Sequence, residues 1–331
     1  MTRRVTISDV AARAGVSTMT VSRVVNGTGR VSEATRQKVN RVIRQLGYEP
    51  NMVARGLTTR QSQTIGIVLP DITNPFFPAV VRGAEDSAWD AGYTVALANV
   101  VEDPARERAA IMNFEAHRVD GIIVCGSRLP GSELDALLNR HSSSVLVNRH
   151  SESGDSISLM VDDVHGYGEA MRHLTDRGHT RIGLLAGPDR SASASARREG
   201  YRQGLAAAGI PYDAALVEVC EPVEQDGYHG LNRLLARQPD VTAVLAYNDI
   251  MAIGALQAAV DAGLQVPSDL AIVGCDDVRI ASLVTPALTT LHIGTYELGR
   301  LAFDLLLKAI RSLPVRDITL KPELIIRDSA P

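Results

Sequence analysis

A chain of 331 residues exceeds one ordinary core and predicts about two or three domains. With 45% hydrophobic residues it is neither disordered nor collagen-like, and no apolar run approaches the ~18 residues of a membrane span. The net charge of −4 hides a split: residues 1–60 carry eleven Lys/Arg against Asp9, Glu33 and Glu49, leaving 23 basic against 35 acidic residues in the rest. A basic module of +8 on an acidic body of −12 favours a polyanionic partner for the first part. The start "MTRRVTISDV" has no apolar signal core, and Cys125, Cys220 and Cys275 are far apart and odd in number. The expectation is a cytoplasmic protein with buried thiols at Cys125 and Cys275, which each end an apolar run, and with no structural metal and no cofactor.

Thr6 and Asp9 have the spacing of a relaxed capping box, which predicts a helix from about 7 to 14, ended by Gly15. Ser17 caps a second helix over 18–26, and a third over 32–46 ends at Gly47 and supplies Ala34, Val39, Val42, Ile43 and Leu46 to the core. The tight turn "AGVS" forces the first two helices to cross steeply, which is the arrangement of a helix-turn-helix. A three-helix protein-binding bundle is the rival. Against it, Thr18, Met19, Thr20, Ser22, Arg23 and Asn26 offer a guanidinium, an amide and small hydroxyls, and no carboxylate lies between Asp9 and Glu33.

Residues 6–57, "TISDVAARAGVSTMTVSRVVNGTGRVSEATRQKVNRVIRQLGYEPNMVARGL", resemble the DNA-binding end of the lactose-repressor (LacI/GalR) family, and the resemblance continues along the chain. It implies a ligand-responsive repressor that binds a palindromic operator as a homodimer, with Thr18, Met19 and Arg23 reading bases. Candidate DNA contacts are these three with Thr6, Ser17, Thr20, Ser22 and Asn26. "NMVARGL" alone is too short to hold a helix in water, and Gly56 weakens it further. The resemblance makes residues 49–60 a hinge helix that orders on the operator. Asn51, Ala54 and Arg55 then add contacts, and Leu57 is wedged into the minor groove.

From Thr64 onward short apolar runs ("TIGIVL", "YTVALA", "DGIIVC", "SVLVN", then "SLMV", "RIGLLAG", "LVEV", "TAVLAY", "LAIVGC") alternate with amphipathic helices. The helices are expected near 78–91, 104–117, 133–140, 164–177, 195–208, 226–237, 249–262 and 295–310. This alternation predicts an α/β body of parallel sheets flanked by helices. "IGIVLPD" at 65–71 is echoed by "IGLLAGPD" at 182–189, which implies two similar lobes and a cleft. The expected division is a DNA-binding domain over 1–48, the hinge over 49–60, and a periplasmic-binding-protein-like effector and dimerisation domain over 61–331. Its first lobe takes about 61–161 and 293–320, its second about 162–292 and 321–331. A Rossmann oxidoreductase is disfavoured, because "GYGEAM" at 166–171 lacks the third glycine and no catalytic constellation appears. The histidines read as scattered and solvated. An extracytoplasmic solute receptor would share the body but has no use for residues 1–60.

Open parallel sheets bind ligands at the carboxyl ends of their strands. There the resemblance points to Asp71, Asn74, Phe76, Phe77, Arg128, Ser193, Arg197, Asn248 and Asp276 as effector contacts, with Ser191 beside them. Asp249 is expected to cap a helix and Asp277 to face solvent. Where relatives stack a sugar or base on an aromatic the chain has Pro222. Where they carry a glutamine it has Ile293, and Arg128 replaces a frequent acidic residue. Two guanidiniums facing Asp276 would leave one charge unpaired against a neutral sugar. That argues for a small hydroxylated anion, a sugar acid or sugar phosphate, with a neutral mono- or disaccharide standing level with it and a nucleobase behind both. No leucine heptad follows Ile326, so a dimer rather than a tetramer is expected.

Overall fold

The structure is a computed structural model that describes residues 5–48, 61–141 and 143–331. The hinge residues Asn51, Ala54, Arg55 and Leu57 lie outside the described residues. The chain divides into two compact units, Met1–Gln63 and Thr64–Pro331.

In the first unit α1 (Ile7–Ala14), α2 (Thr18–Asn26) and α3 (Glu33–Leu46) enclose a small core of Val10, Ala11, Ala14, Val21, Val24, Val39 and Val42. The capping box is formed: the Thr6 backbone N–H donates to Asp9 Oδ2 at 2.8 Å, and Asp9 N–H donates to Thr6 Oγ1 at 3.4 Å. Gly15 takes φ +61°, a left-handed turn that costs glycine little, and the Ser17 hydroxyl then accepts the Thr20 N–H at 3.1 Å. Ala34 is exposed, contrary to expectation. The buried stripe of α3 runs through Val39 and Val42, and one turn back from Val39 it meets Thr35, so Ala34 falls a residue off the face.

The second unit begins with β1 (Thr64–Leu69), α4 (Phe76–Asp90), β2 (Thr94–Asn99), α5 (Pro104–Ala116), β3 (Gly121–Cys125), α6 (Gly131–Leu138), β4 (Ser144–Val147) and β5 (Ile157–Val161). The strands pair in parallel, with Ile67 level with Leu97 on one side and Ile123 on the other. Every residue of β3 is buried, as a central parallel strand covered on both faces requires. The second lobe follows with α7 (Asp163–Asp176), β6 (Ile182–Ala186), α8 (Ala192–Ala207), β7 (Val217–Val219), α9 (Glu224–Arg237), β8 (Ala243–Ala246), α10 (Asp249–Asp261) and β9 (Ala271–Val273), its four strands ordered β7-β6-β8-β9.

Three short strands were not foreseen. β10 (Thr290–His292) pairs antiparallel with β12 (Glu323–Ile325), and β11 (Ile318–Leu320) joins the edge of the first sheet beside β5, giving the order β11-β5-β4-β3-β1-β2. Between them α11 (Thr295–Ile310) returns to lie along α4. The chain therefore passes between the lobes three times: after β5, after β10 and after β11.

The α4–α11 contact is backbone on backbone. A Cβ at Gly299 would sit 1.9 Å from the Val80 carbonyl oxygen, and one at Gly83 the same 1.9 Å from that of Tyr296. Gly299→Ala must push the helices apart and is expected to cost about 1–3 kcal/mol. Gly168→Ala, inside α7 with nothing near its Cβ position, should instead stabilise by up to ~1 kcal/mol. Thermal melts of the two variants, moving in opposite directions, check the prediction.

Candidate functional site

On the first unit, α2 is held by its caps and by Val21 and Val24, so its other face is left to solvent. Met19 is 62% exposed, and Ser17, Thr18 and Arg23 are exposed beside it. Arg23 makes no ion pair with any described residue, and its Cδ and Nε lie within about 3.3 Å of where a Cβ on Gly29 would stand. An exposed methionine thus stands beside a guanidinium that no described carboxylate holds. Thr6 is exposed at the start of α1, tied to Asp9. The remaining candidates are partly committed: Thr20 Oγ1 lies 3.0 Å from Ser17 Oγ, and Asn26 Nδ2 donates to Ser22 Oγ at 3.2 Å. Asn26 Oδ1 is buried with no partner among the described residues.

On the second unit, the carboxyl ends of β1, β3 and β4 in one lobe face those of β6, β8 and β9 in the other. They enclose a cavity with about 470 Å³ of atom-free space, part of it open to solvent. Of the expected residues, Asn74, Phe76, Phe77, Arg128, Ser193, Arg197, Asn248 and Asp276 line it. Asp71 does not. Its carboxylate is turned into its own loop, accepting the Thr73 N–H at 3.0 Å and the Thr73 hydroxyl at 2.8 Å. Neither Pro222 nor Ile293 reaches the cavity, and Ser191, Tyr247 and Asn148 do. Tyr247 and Asn148 were missed, although each is the first residue beyond a four-residue apolar strand, where a parallel sheet presents side chains to ligand.

Arg197 organises the far wall. Its Nε donates to Asp163 Oδ1 at 2.9 Å, its Nη1 to the Tyr247 carbonyl at 2.5 Å, and its Nη2 lies 3.6 Å from Asp276 Oδ1. The guanidinium also stacks 4.6 Å from the Tyr247 ring centroid. Ser193 bonds Asp163, and Ser191 Oγ lies 3.0 Å from the Tyr247 hydroxyl. Asn248 caps α10, accepting the Met251 N–H at 2.9 Å, and its Nδ2 reaches the Pro222 carbonyl at 3.4 Å. The cap therefore belongs to Asn248 rather than to Asp249. Asp249 is fully buried and pins the loop after β9, accepting from Val278 N–H at 2.8 Å and the Thr290 hydroxyl at 2.5 Å. Asp277 does not face solvent either, since it pairs with Arg327 Nη2 at 2.7 Å and His292 Nδ1 at 2.8 Å. His173, expected in solvent, is buried with Nε2 2.8 Å from the Ala330 carbonyl oxygen.

The near wall corrects the charge argument. Arg128 is not a free cation: its Nε and Nη2 grip Glu102 at 2.5 and 3.0 Å, and its Nη1 donates to the Gly126 carbonyl at 2.9 Å. Its backbone N–H is held by the buried Glu107 at 2.9 Å. Both guanidiniums of the cleft thus have carboxylate partners, and the premise for an anionic effector falls. What the cavity offers is neutralised donors, amides and hydroxyls beside two phenylalanines, which suits a neutral ligand rich in hydroxyls.

Asp276 is the exception in charge and in backbone. It adopts φ +117°, a strained value for a side-chain-bearing residue, and it carries that strain at the cleft wall. Burial pushes its carboxyl up to about 7, against the opposing pull of Arg197. The sign follows. With its carboxyl raised by burial, this group's contribution to stability is fully present below the ordinary carboxylate range and is lost as pH rises through about 7. The carboxylate of Asp276 accepts a ligand hydroxyl more strongly than its protonated form does, so effector affinity should fall as pH drops from 8 to 6. Calorimetry in buffers of different ionisation heat should show proton release on binding near neutrality.

These two units define a class: a helix-turn-helix with one face of its second helix exposed, and a two-lobed α/β body with a cleft lined by amides, hydroxyls and paired charges. Residues 6–51 match the bacterial regulatory proteins of the lacI family, and residues 171–330 match the periplasmic binding protein-like domain. The chain is 36% identical over 326 residues to the HTH-type transcriptional regulator GalR of Escherichia coli, covering 98% of this chain and 95% of that one. It is 37% identical over 331 residues to the ribose operon repressor of Escherichia coli, covering 98% and 99%. Among solved structures, the lac repressor dimer bound to operator and the anti-inducer ONPF superposes with a TM-score of 0.90 at 30% identity, covering 99% of both chains. The chain belongs to the lacI family of bacterial regulatory proteins. No helix among the described residues is long and apolar enough to cross a membrane.

Proposed function

We propose that the chain is a transcriptional repressor that binds a twofold-symmetric operator as a homodimer and releases or tightens its grip when a neutral sugar enters the cleft. The observation that carries this reading is the pairing of both cleft arginines with carboxylates, in a chain whose recognition helix exposes Thr18, Met19 and Arg23. Residues 1–48 serve as the DNA-binding domain, 49–60 as the hinge, and 61–331 as the effector and dimerisation domain. Exposed Trp89, Leu97, Ile280 and Leu283 supply apolar surface for a second copy to cover. The work is binding rather than catalysis, since the buried carboxylates Asp163, Asp249 and Glu107 are all committed to holding the fold. The site of action is the cytoplasm, where the DNA is. Selection from random duplex DNA tests the first half: a palindrome supports it, and a pool with no twofold-symmetric site counts against it. Calorimetry with a panel of neutral sugars tests the second.

A further inference from the structure

The cleft's charge is set from outside the cleft. Glu102 is absent from the cavity wall, yet it occupies two of the five N–H donors of Arg128, which is on that wall. A third goes to the Gly126 carbonyl, so two N–H groups remain to face the cavity. Arg128 is therefore presented as a pair of donors without net charge, suited to ligand hydroxyl oxygens and not selective for an anion. The side chains of both partners are largely buried, at 5% and 18% exposure, so water screens the pair little.

Two further features mark Glu102 as placed for this task. Val101 and Glu102 both sit in the left-handed region, at φ +52° and +57°, which is uncommon for any residue and more so for a β-branched one. The turn is fixed by the Glu102 N–H donating to the Pro70 carbonyl at 2.9 Å. Across the cleft, Arg190 of the second lobe comes within 3.9 Å of the same Glu102 oxygen while its own charge is taken up by Glu221 at 2.5 and 3.1 Å. Glu107, the other carboxylate near Arg128, is spent on the Ser127 hydroxyl and the Arg128 backbone, and burial raises its carboxyl above the usual range. Glu102 is thus the carboxylate left to cancel the guanidinium.

We propose that Glu102 is the specificity-determining residue that makes the cleft reject anions and accept neutral polyhydroxyl ligands, by neutralising Arg128 from behind the cavity wall. This rests on the neutral-sugar reading of the effector. The test is calorimetry of the full chain and of E102Q with inorganic phosphate and with the matched pairs glucose and gluconate, galactose and galactonate, and ribose and ribose 5-phosphate. The native chain should prefer a neutral sugar to its anionic counterpart. E102Q should shift that ratio toward the anion, and bind phosphate more tightly, by on the order of tenfold, the scale of one partly desolvated charge pair. E102Q/R128Q should lose the gain, which a merely structural defect would not do. If E102Q does not fold, E102D draws the carboxylate back by one methylene and should move phosphate affinity the same way by a smaller factor. A folded variant with unchanged phosphate affinity overturns the proposal and leaves the neutral-sugar reading standing. A native chain that prefers the anion overturns both.

Discussion

Arg197→Met should unfold the second lobe at markedly lower denaturant and abolish the response to effector. The guanidinium is 5% exposed and is the shared counter-charge of Asp163 and Asp276, one at the start of α7 and one after β9. Removing it leaves carboxylates buried without a partner, a change that typically costs about 3–5 kcal/mol. Set against the ~5–15 kcal/mol that holds an ordinary domain together, this is a large fraction. It also leaves the Tyr247 carbonyl with the Tyr167 hydroxyl, 3.3 Å away, as its remaining donor and removes the cation stacked on the Tyr247 ring. The double variant R197M/D163N takes away a charge along with its partner and should recover part of the loss. Urea unfolding read at the body, with calorimetry for ligand, measures both effects. A native-like midpoint for R197M would mean that the buried cluster is held by something other than its charge balance.

Arg23→Ala should weaken operator binding by ~1–3 kcal/mol, or roughly 5- to 150-fold, and relax selection at one symmetric guanine in each half-site. The side chain is exposed and uncommitted, so its removal costs the fold little and the loss is specific to DNA. Thr18 and Met19 precede it on the same open face, and changing them should alter which base is preferred rather than whether DNA binds. The logarithm of the binding constant should fall linearly with that of salt, as when several phosphates are neutralised. Protein stability of R23A, followed by melting, is expected to match the native chain. If R23A binds the selected operator with native affinity, the face of α2 is not the reading surface.

The first unit is legible in the sequence because everything that shapes it is local. Thr6 with Asp9, Gly15, Ser17 and Gly47 each fix a helix end within three or four residues, and the structure forms every one of those caps. The α/β alternation of the body is legible for the same reason, and so is the rule that puts the cleft at the strand ends. Pairing across the chain is not. Glu102 and Arg128 are 26 residues apart, Asp163 and Arg197 are 34 apart, and nothing in the periodicity announces either pair. That gap produced the expectation of an anionic ligand. The strands β10, β11 and β12 escaped notice because three residues are too few to show an alternation, and they form only through partners brought from elsewhere in the chain. The place of Asp71 just after β1 points to the ligand, but a short acidic side chain there can also close its own turn, as this one does.

If sugar in the cleft controls the grip on DNA, operator binding measured with and without sugar must differ. Fluorescence anisotropy on the selected palindrome, repeated at saturating concentration of whichever neutral sugar binds by calorimetry, should show operator affinity changed by ~5- to 150-fold. By linkage, operator DNA should change sugar affinity by the same factor, and R197M should show neither effect. A sugar that binds the body while leaving operator affinity untouched would mean that the cleft does not control DNA binding.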